Sequence, residues 1–325
     1  MTGPDETDAW WALLNVSTWP ERWIEQGGSN SVRWLDQPDT RRAWLHKNTT
    51  ILEASGVEQG EDWAEVVASQ VAGALGVPCA DVRLCVRDGR RGSLSLDVAP
   101  RGYSLWPANV WLNELIPDYV PHTEEAHGVD PARPDVKRPG HTLENYRQAL
   151  VDVGPPPTFL NQSFTGFDVL AGYHVLDALI ANRDRHTENW GVLDPGISPG
   201  QVLLAPSFDH GGSLGFNLSD TDRESMLTQD RLEEWARRGT AHRLEHRKGE
   251  PRASLVDAAS RALDLASPAA RAWWRMHIME LDLSELAEVL GEIKVPSMSG
   301  PACRFTIELL RVNLRRLRDG IGTAG

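Results

Sequence analysis

Cysteine is scarce. Three residues, Cys79, Cys85 and Cys303, occur in a chain of 325. That count excludes a disulfide framework and a four-thiolate zinc site. Cys79 and Cys85 fall in a strand-like region, where a small buried thiol is the expectation. Positive charge is the minority sign, with Lys plus Arg at 33 against 46 for Asp plus Glu, a formal net charge of −13. That balance argues against indiscriminate binding to nucleic acid or to an anionic membrane. Long apolar runs are missing as well. None approaches the roughly 18 residues needed to cross a bilayer. The opening Met1-Thr2-Gly3-Pro4-Asp5-Glu6 has neither the basic nor the apolar region of a secretory leader. A cytoplasmic location is therefore expected. Phe and Tyr are few, at 6 and 4, whereas Trp reaches 13. Many tryptophans stand beside charge, as in Arg22-Trp23 and Arg33-Trp34, and read as half-buried anchors. Hydrophobic residues at 41% and charged residues at 24% supply a sizeable globular core.

No internal repeat or low-complexity tract is present. The first hundred residues read as strand-rich with one helix. Ser31 to Leu35 and Ala43 to Lys47 flank the turn sequence Gln37-Pro38-Asp39-Thr40, a hairpin. Glu61 to Leu75 carries Trp63, Val66, Val67, Val71, Ala74 and Leu75 at helical spacing and is stopped by Gly76 and Pro78. Val82, Leu84 and Val86 alternate, Asp88-Gly89 turns, and Leu94, Leu96 and Val98 alternate back. Ala99-Pro100-Arg101-Gly102 is a break, the expected hinge between a small lobe (1–100) and a larger, mostly helical lobe (101–325). Within the second lobe, Phe167 to Ala181 is a strong helix. Further helices are expected at 230–238, 254–265, 271–279 and 304–318. Pro117 to Gly140, rich in Pro, His and charge, reads as a surface excursion.

The informative segment is Asn182-Arg183-Asp184-Arg185-His186-Thr187-Glu188-Asn189-Trp190-Gly191, a loop directly after the buried helix. A short strand (190–193), the turn Asp194-Pro195-Gly196 and a returning strand (201–205) lead to Phe208-Asp209-His210-Gly211-Gly212. An antiparallel hairpin brings the residue before its first strand and the residue after its second to one end. Asn189 and Asp209 should therefore meet, with Asp184 on the same loop. Two carboxylates and an amide at one mouth suit phosphoryl transfer. One Asp orients the attacking hydroxyl, while the Asn and the other Asp supply oxygen ligands to Mg²⁺ on the substrate phosphates.

The sequence Asp-Arg-His-x-x-Asn-Trp-Gly followed by a hairpin and Phe-Asp-His-Gly resembles the HipA-like serine/threonine kinases. It is similar also to the wider group containing phosphoinositide lipid kinases. The resemblance covers roughly residues 27 to 290 and implies an α+β, bilobal, protein-kinase-like fold using ATP and Mg²⁺. It implies Asp184 as the catalytic carboxylate, with Asn189 and Asp209 as metal ligands. The family's Asp-Phe-Gly is Asp209-His210-Gly211 here, a change that leaves the carboxylate in place and puts any Phe-packing switch in doubt. It further implies Gly27, Gly28, Ser29, Asn30 and Ser31 as the phosphate-covering loop, and Lys47 as the nucleotide-phosphate lysine. Glu65 is its expected helix partner, with Glu61 the competitor. By helical periodicity Glu65 lies nearly opposite the apolar stripe, facing a cleft or solvent. Only 26 residues precede Gly27, so a kinase core without the N-terminal subdomain of full-length HipA toxins is expected. Toxin function and an antitoxin partner are not assumed. A protein substrate is the expected partner.

Rival readings stay open. The acceptor could be a small molecule or a lipid, or the chain could bind nucleotide without catalysis. Gly211-Gly212-Ser213-Leu214-Gly215 matches the Gly-x-Ser-x-Gly elbow of serine hydrolases. That elbow needs a strand just before and a helix just after, and Phe216 to Asp220 reads as a poor helix start. His186 reads as a structural histidine bonded to loop backbone. His242, Arg243, His246 and Arg247 read as a solvated basic face, and Trp273-Trp274 as core packing.

Overall fold

The computed structural model describes residues 9–25, 32–40, 42–121, 130–292 and 295–322. The chain begins with strands β1 (Leu13–Asn15), β2 (Glu21–Glu25), β3 (Val32–Asp36) and β4 (Ala43–Asn48). Helix α1 (Glu61–Leu75) and strands β5 (Val82–Arg87) and β6 (Arg90–Leu96) follow. These strands form one sheet in the order β1-β5-β6-β4-β3-β2. β1 runs parallel to β5 and every other pair is antiparallel. Both expected hairpins are present.

Period-2 alternation sorts this sheet into two faces. Leu35, Trp44, Cys85 and Leu94 pack with Val16 into a small core on one side. Leu45, Lys47, Ser93 and Ser95 point the other way, into a cleft. α1 covers the rest of that second face, against β5 and β6. Its bounds match the sequence reading, and Gly76 ends it in the left-handed conformation (φ 79°) that glycine adopts without strain.

The break at Ala99 to Gly102 falls where the chain leaves this sheet. β7 (Ser104–Pro107), β9 (Gly191–Asp194) and β10 (Leu203–Leu204) form a second, antiparallel sheet in the order β10-β9-β7. Between β7 and β9 lie α2 (Ala108–Leu115), β8 (Val136–Lys137), α3 (Leu143–Ala149) and α4 (Gly166–Leu179). After β10 come α5 (Asp220–Thr228), α6 (Leu232–Arg237) and β11 (His246–Arg247). α7 (Leu255–Leu265), α8 (Pro268–Glu280), α9 (Ser284–Glu292) and α10 (Gly300–Gly322) complete the helical region.

α4 is its axis, and every one of its residues is buried. A capping box fixes its start. Thr165 accepts from the Asp168 N–H, and the Asp168 carboxylate accepts from the Thr165 N–H. The other Asp168 oxygen accepts from the Ser267 N–H at 2.7 Å, tying α8 to α4. Trp274, fully buried, donates from its indole to the Asp168 carbonyl and lies flat against Gly172. The Trp273-Trp274 pair is thus core packing, as expected.

Two expectations are corrected. Phe216 to Asp220 leads into a capped helix, because Ser219 accepts from the Asp222 N–H and α5 starts at Asp220. The segment carrying His242 and Arg243 is not a plain solvated face, since Arg243 bonds Asp184. It is a turn leading into β11, which pairs with β8. No helix among the described residues is long and apolar enough to cross a membrane.

Candidate active site

The loop after α4 is held by a buried ion pair. Arg185 lays Nε and Nη2 on the two oxygens of Asp177 at 2.9 and 2.7 Å. Its Nη1 donates to the Asn189 carbonyl at 2.9 Å. Both side chains are at most 5% exposed. Such a fork is planar and bidentate, so it fixes orientation as well as charge. Asn182 donates to Asp177 and accepts from the Asp184 N–H. From outside, the α2 amides of Ala108 and Asn109 donate to the carbonyls of Trp190 and Thr187. Asn313 of α10 donates to the Leu179 carbonyl at the end of α4.

This brace places Asp184 and Asn189 together. The Asn189 amide donates to the Asp184 carbonyl at 2.9 Å, which leaves the Asn189 side-chain oxygen as an acceptor. His186 accepts the Glu188 N–H on Nδ1, the loop-backbone role expected of it.

β9 and β10 pair in the expected hairpin register, and the chain returns to Asp209. Asp209 takes a left-handed backbone (φ 60°), uncommon for a residue with a Cβ. Its Oδ1 lies 2.9 Å from the Lys47 ammonium on β4. Burial raises its carboxyl, but the charge and hydrogen bond of Lys47 outweigh this and hold it below its ordinary value. Beyond it the chain threads between α1 and the loop. A methyl group on Gly211 would meet Glu61 and Glu65 at 3.3 Å, and one on Gly212 would meet Asp184 at 3.5 Å.

Glu65 is buried and faces the cleft rather than solvent. Its carboxylate lies 3.4 Å from His210, whose other nitrogen is 2.7 Å from the Ser207 hydroxyl. Burial alone would lower the fully buried His210, but Cys79 and Glu65 push it up to about 10. The histidine that stands where a phenylalanine was expected thus links α1 to the Asp209 segment. Cys79 is half-buried and 4.0 Å from that ring, in an isolated bridge rather than a regular strand. Glu61, the competitor, accepts from the Thr50 N–H on the same side of α1. Residues 27 to 31 lie outside the described residues.

Two cavities meet at Lys47, Glu65, Ser93 and Asp209. The larger, of about 280 Å³, has walls from Val32, Leu45, Leu96, Val98, Leu105 and Phe208. The smaller, of about 120 Å³, is polar and reaches Thr49, Gly211 and Gly212. The result is one cleft with an apolar end and a charged end.

One site residue escaped the sequence reading. Arg243 is 28% exposed and bonds Asp184 Oδ1 through Nε at 2.8 Å and through Nη2. Its neighbours His242, His246 and Arg247 suggested a solvated face, and nothing in the spacing pointed 59 residues back. Ser213 is 1% exposed, sits in a turn, and has no hydrogen-bond partner for its hydroxyl among the described residues. That is not a strand-to-helix elbow.

No family model matches the chain, and no curated protein matches it in sequence. Solved structures do. A strand-rich N-terminal sheet, a cleft and a helical C-terminal region define a kinase-like α+β fold. It matches the structure of the Helicobacter pylori proinflammatory kinase CtkA with a TM-score of 0.69 and 17% identity, over 95% of this chain and 97% of that one. HipA of Shewanella oneidensis MR-1, solved with HipB and operator DNA, aligns at 0.32 and 12% identity over 93% and 68%. Golgi casein kinase aligns at 0.37 and 11% identity over 95% and 75%. Neither of these two scores carries weight.

Proposed function

We propose that the chain is an ATP-dependent phosphotransferase whose acceptor is a protein serine or threonine. The observation that carries this reading is one chain of contacts. Lys47 touches Asp209, Gly212 of the same segment abuts Asp184, and Asn189 bonds Asp184. The two-ended cleft fits a nucleotide, with the base against the apolar walls and the phosphates at Lys47. The order Asp184-Arg185-His186 supports the HipA-like assignment.

Asn189 and Asp209 fit a magnesium ion. Each keeps a side-chain oxygen beyond its bond to Asp184 or Lys47, a hard donor set that leaves positions for water and phosphate. When bound, the ion would neutralise charge on the nucleotide phosphates. The chain's own groups do the rest. Lys47 orients the phosphates, and Asp184 accepts the hydroxyl proton through Oδ2, because Arg243 occupies Oδ1. The brace under the loop holds both in place, so catalysis is mainly positioning.

The test is transfer from γ-labelled ATP with Mg²⁺ to protein in a lysate, beside Asp184→Asn and Asp209→Asn. Asp184→Asn should lower transfer at least a hundredfold and leave nucleotide binding in place. Asp209→Asn should weaken metal-dependent nucleotide binding. Equal turnover in the Asp184 variant would overturn the assignment.

A further inference from the structure

β8 and β11 are 110 residues apart in sequence, yet they pair, Val136 with Arg247 and Lys137 with His246. This small sheet carries an arginine at each exit on the Asp184 side. Arg243 lies in the turn before β11 and Arg138 directly after β8. Arg243 uses Nε and Nη2 on a single oxygen of Asp184. Arg138 is half-buried, and its Nη1 is buried with no hydrogen-bond partner among the described residues. Among the described residues, burial and then the charge of Arg243 work against its guanidinium charge, while Tyr146, Asp184 and Tyr119 favour it. The other acids of this sheet are engaged elsewhere. Glu245 accepts from the Gly140 N–H, and Asp135 bonds Arg247.

Arg243 is thus bonded to Asp184, while Arg138 keeps a buried nitrogen unpartnered among the described residues, in a chain whose net charge is −13. The crowding of positive charge is felt nearby. Burial first, then Arg243, Arg183 and Arg138, press His242 down to about 4. A buried guanidinium hydrogen without an acceptor calls for one. Neither arginine lines the nucleotide cleft, whose cation is Lys47. The missing anion thus belongs on the acceptor side of Asp184.

Resting on the phosphotransferase reading, we infer that Arg138 and Arg243 form an anion subsite that takes an acidic side chain of the acceptor, making the substrate a serine or threonine in an acidic peptide segment. Arginine forks suit carboxylates and match them bidentately. The reacting groups stay as described. The acceptor oxygen attacks the γ-phosphorus of ATP, and the bond to the β–γ bridging oxygen breaks. ADP leaves with that electron pair, and the hydroxyl proton goes to Asp184 Oδ2. The subsite docks the flanking acid so that this hydroxyl faces Asp184.

The experiment uses the full chain and three fluorescein-labelled peptides, Glu-Glu-Ser-Glu-Glu, Gln-Gln-Ser-Gln-Gln and Lys-Lys-Ser-Lys-Lys. Transfer should favour the acidic peptide at least about tenfold in kcat/KM. Arg138→Gln should erase most of that ratio, Arg138→Lys should retain part of it, and Arg138→Glu should invert it toward a Lys-flanked peptide. Peptide binding, followed by anisotropy without nucleotide, should show the same order. Asp184→Asn, which removes the competing carboxylate, should bind the acidic peptide several-fold more tightly while losing transfer. Acid-selective binding without any transfer would bring down the kinase reading and leave the subsite standing. Transfer with no acid preference would overturn the subsite and keep the kinase. An Arg138 effect on KM for ATP alone would assign the arginines to nucleotide instead and overturn it too.

Discussion

Asp184 is useful because its surroundings are rigid, and Arg185 shows where that rigidity comes from. Its guanidinium is buried, and among the described residues Asp177 is the carboxylate that meets its charge. Asp177→Ala would strand that cation in the interior, which costs about 3–5 kcal/mol. Denaturant melts should record this loss, and transfer should fall with it. Asp177→Asn, which keeps the shape, should fold better and yet transfer poorly. Gly172 is a second test of packing against propensity. Alanine would gain up to about 1 kcal/mol in an α-helix, but its methyl would sit 2.3 Å from the Trp274 ring. That ring is fully buried and has nowhere to move, so overpacking wins. Gly172→Ala should lower stability by about 2 kcal/mol in thermal and urea melts. At this scale chemistry and spacing singled out Asp184, Asn189 and Asp209 as candidates, and the structure bonds Asn189 to Asp184 and Lys47 to Asp209. Arg243 stayed hidden because its partner lies 59 residues away, across a pairing of two short strands that no local pattern encodes.

Elements with strong internal signals were legible. α1 has a continuous apolar spacing and a glycine stop, and its bounds were read correctly. α4 was found within a residue or two at each end. α5 was missed because Met226 and Leu227, adjacent near its end, are its only strongly apolar residues, and its signal was the cap rather than a stripe. Ser219 followed three residues later by Asp222 is that signal. β8 and β11 have two residues each and exist only as a pair. Caps also give a prediction. Thr165→Ala removes one half of the α4 box and should cost about 1 kcal/mol. The effect should appear in equilibrium unfolding, with little change in nucleotide affinity, since the cap lies at the far end of α4 from the loop.

The whole molecule carries a pH signature. His46 and His174 are buried, and each is held down to about 4, by burial before any charge. Unfolded histidines take a proton near 6.5. Between pH 6.5 and 4 the unfolded chain therefore binds more protons than the folded one. Stability should fall as pH drops through that window, by about 1.4 kcal/mol per unit for each histidine. His46→Gln should flatten the acid limb of a plot of melting temperature against pH. The two-layered plan of sheet and helices was legible at this scale because strands and helices segregate along the chain. The line of contacts from Lys47 to Asn189 was legible only as an expectation, since it depends on where the N-terminal sheet meets the helical region.

Asn313 of α10 bonds the last turn of α4, just ahead of the loop that carries Asp184. The brace and the loop are separated by more than a hundred residues of synthesis. While the ribosome is still making the intervening helices, the cleft at Lys47 can form from the segments already released, but the loop beneath it lacks this support. Chains ended before residue 300 should then lack a fixed Asp184, and on the phosphotransferase reading transfer should begin only once α10 has been translated.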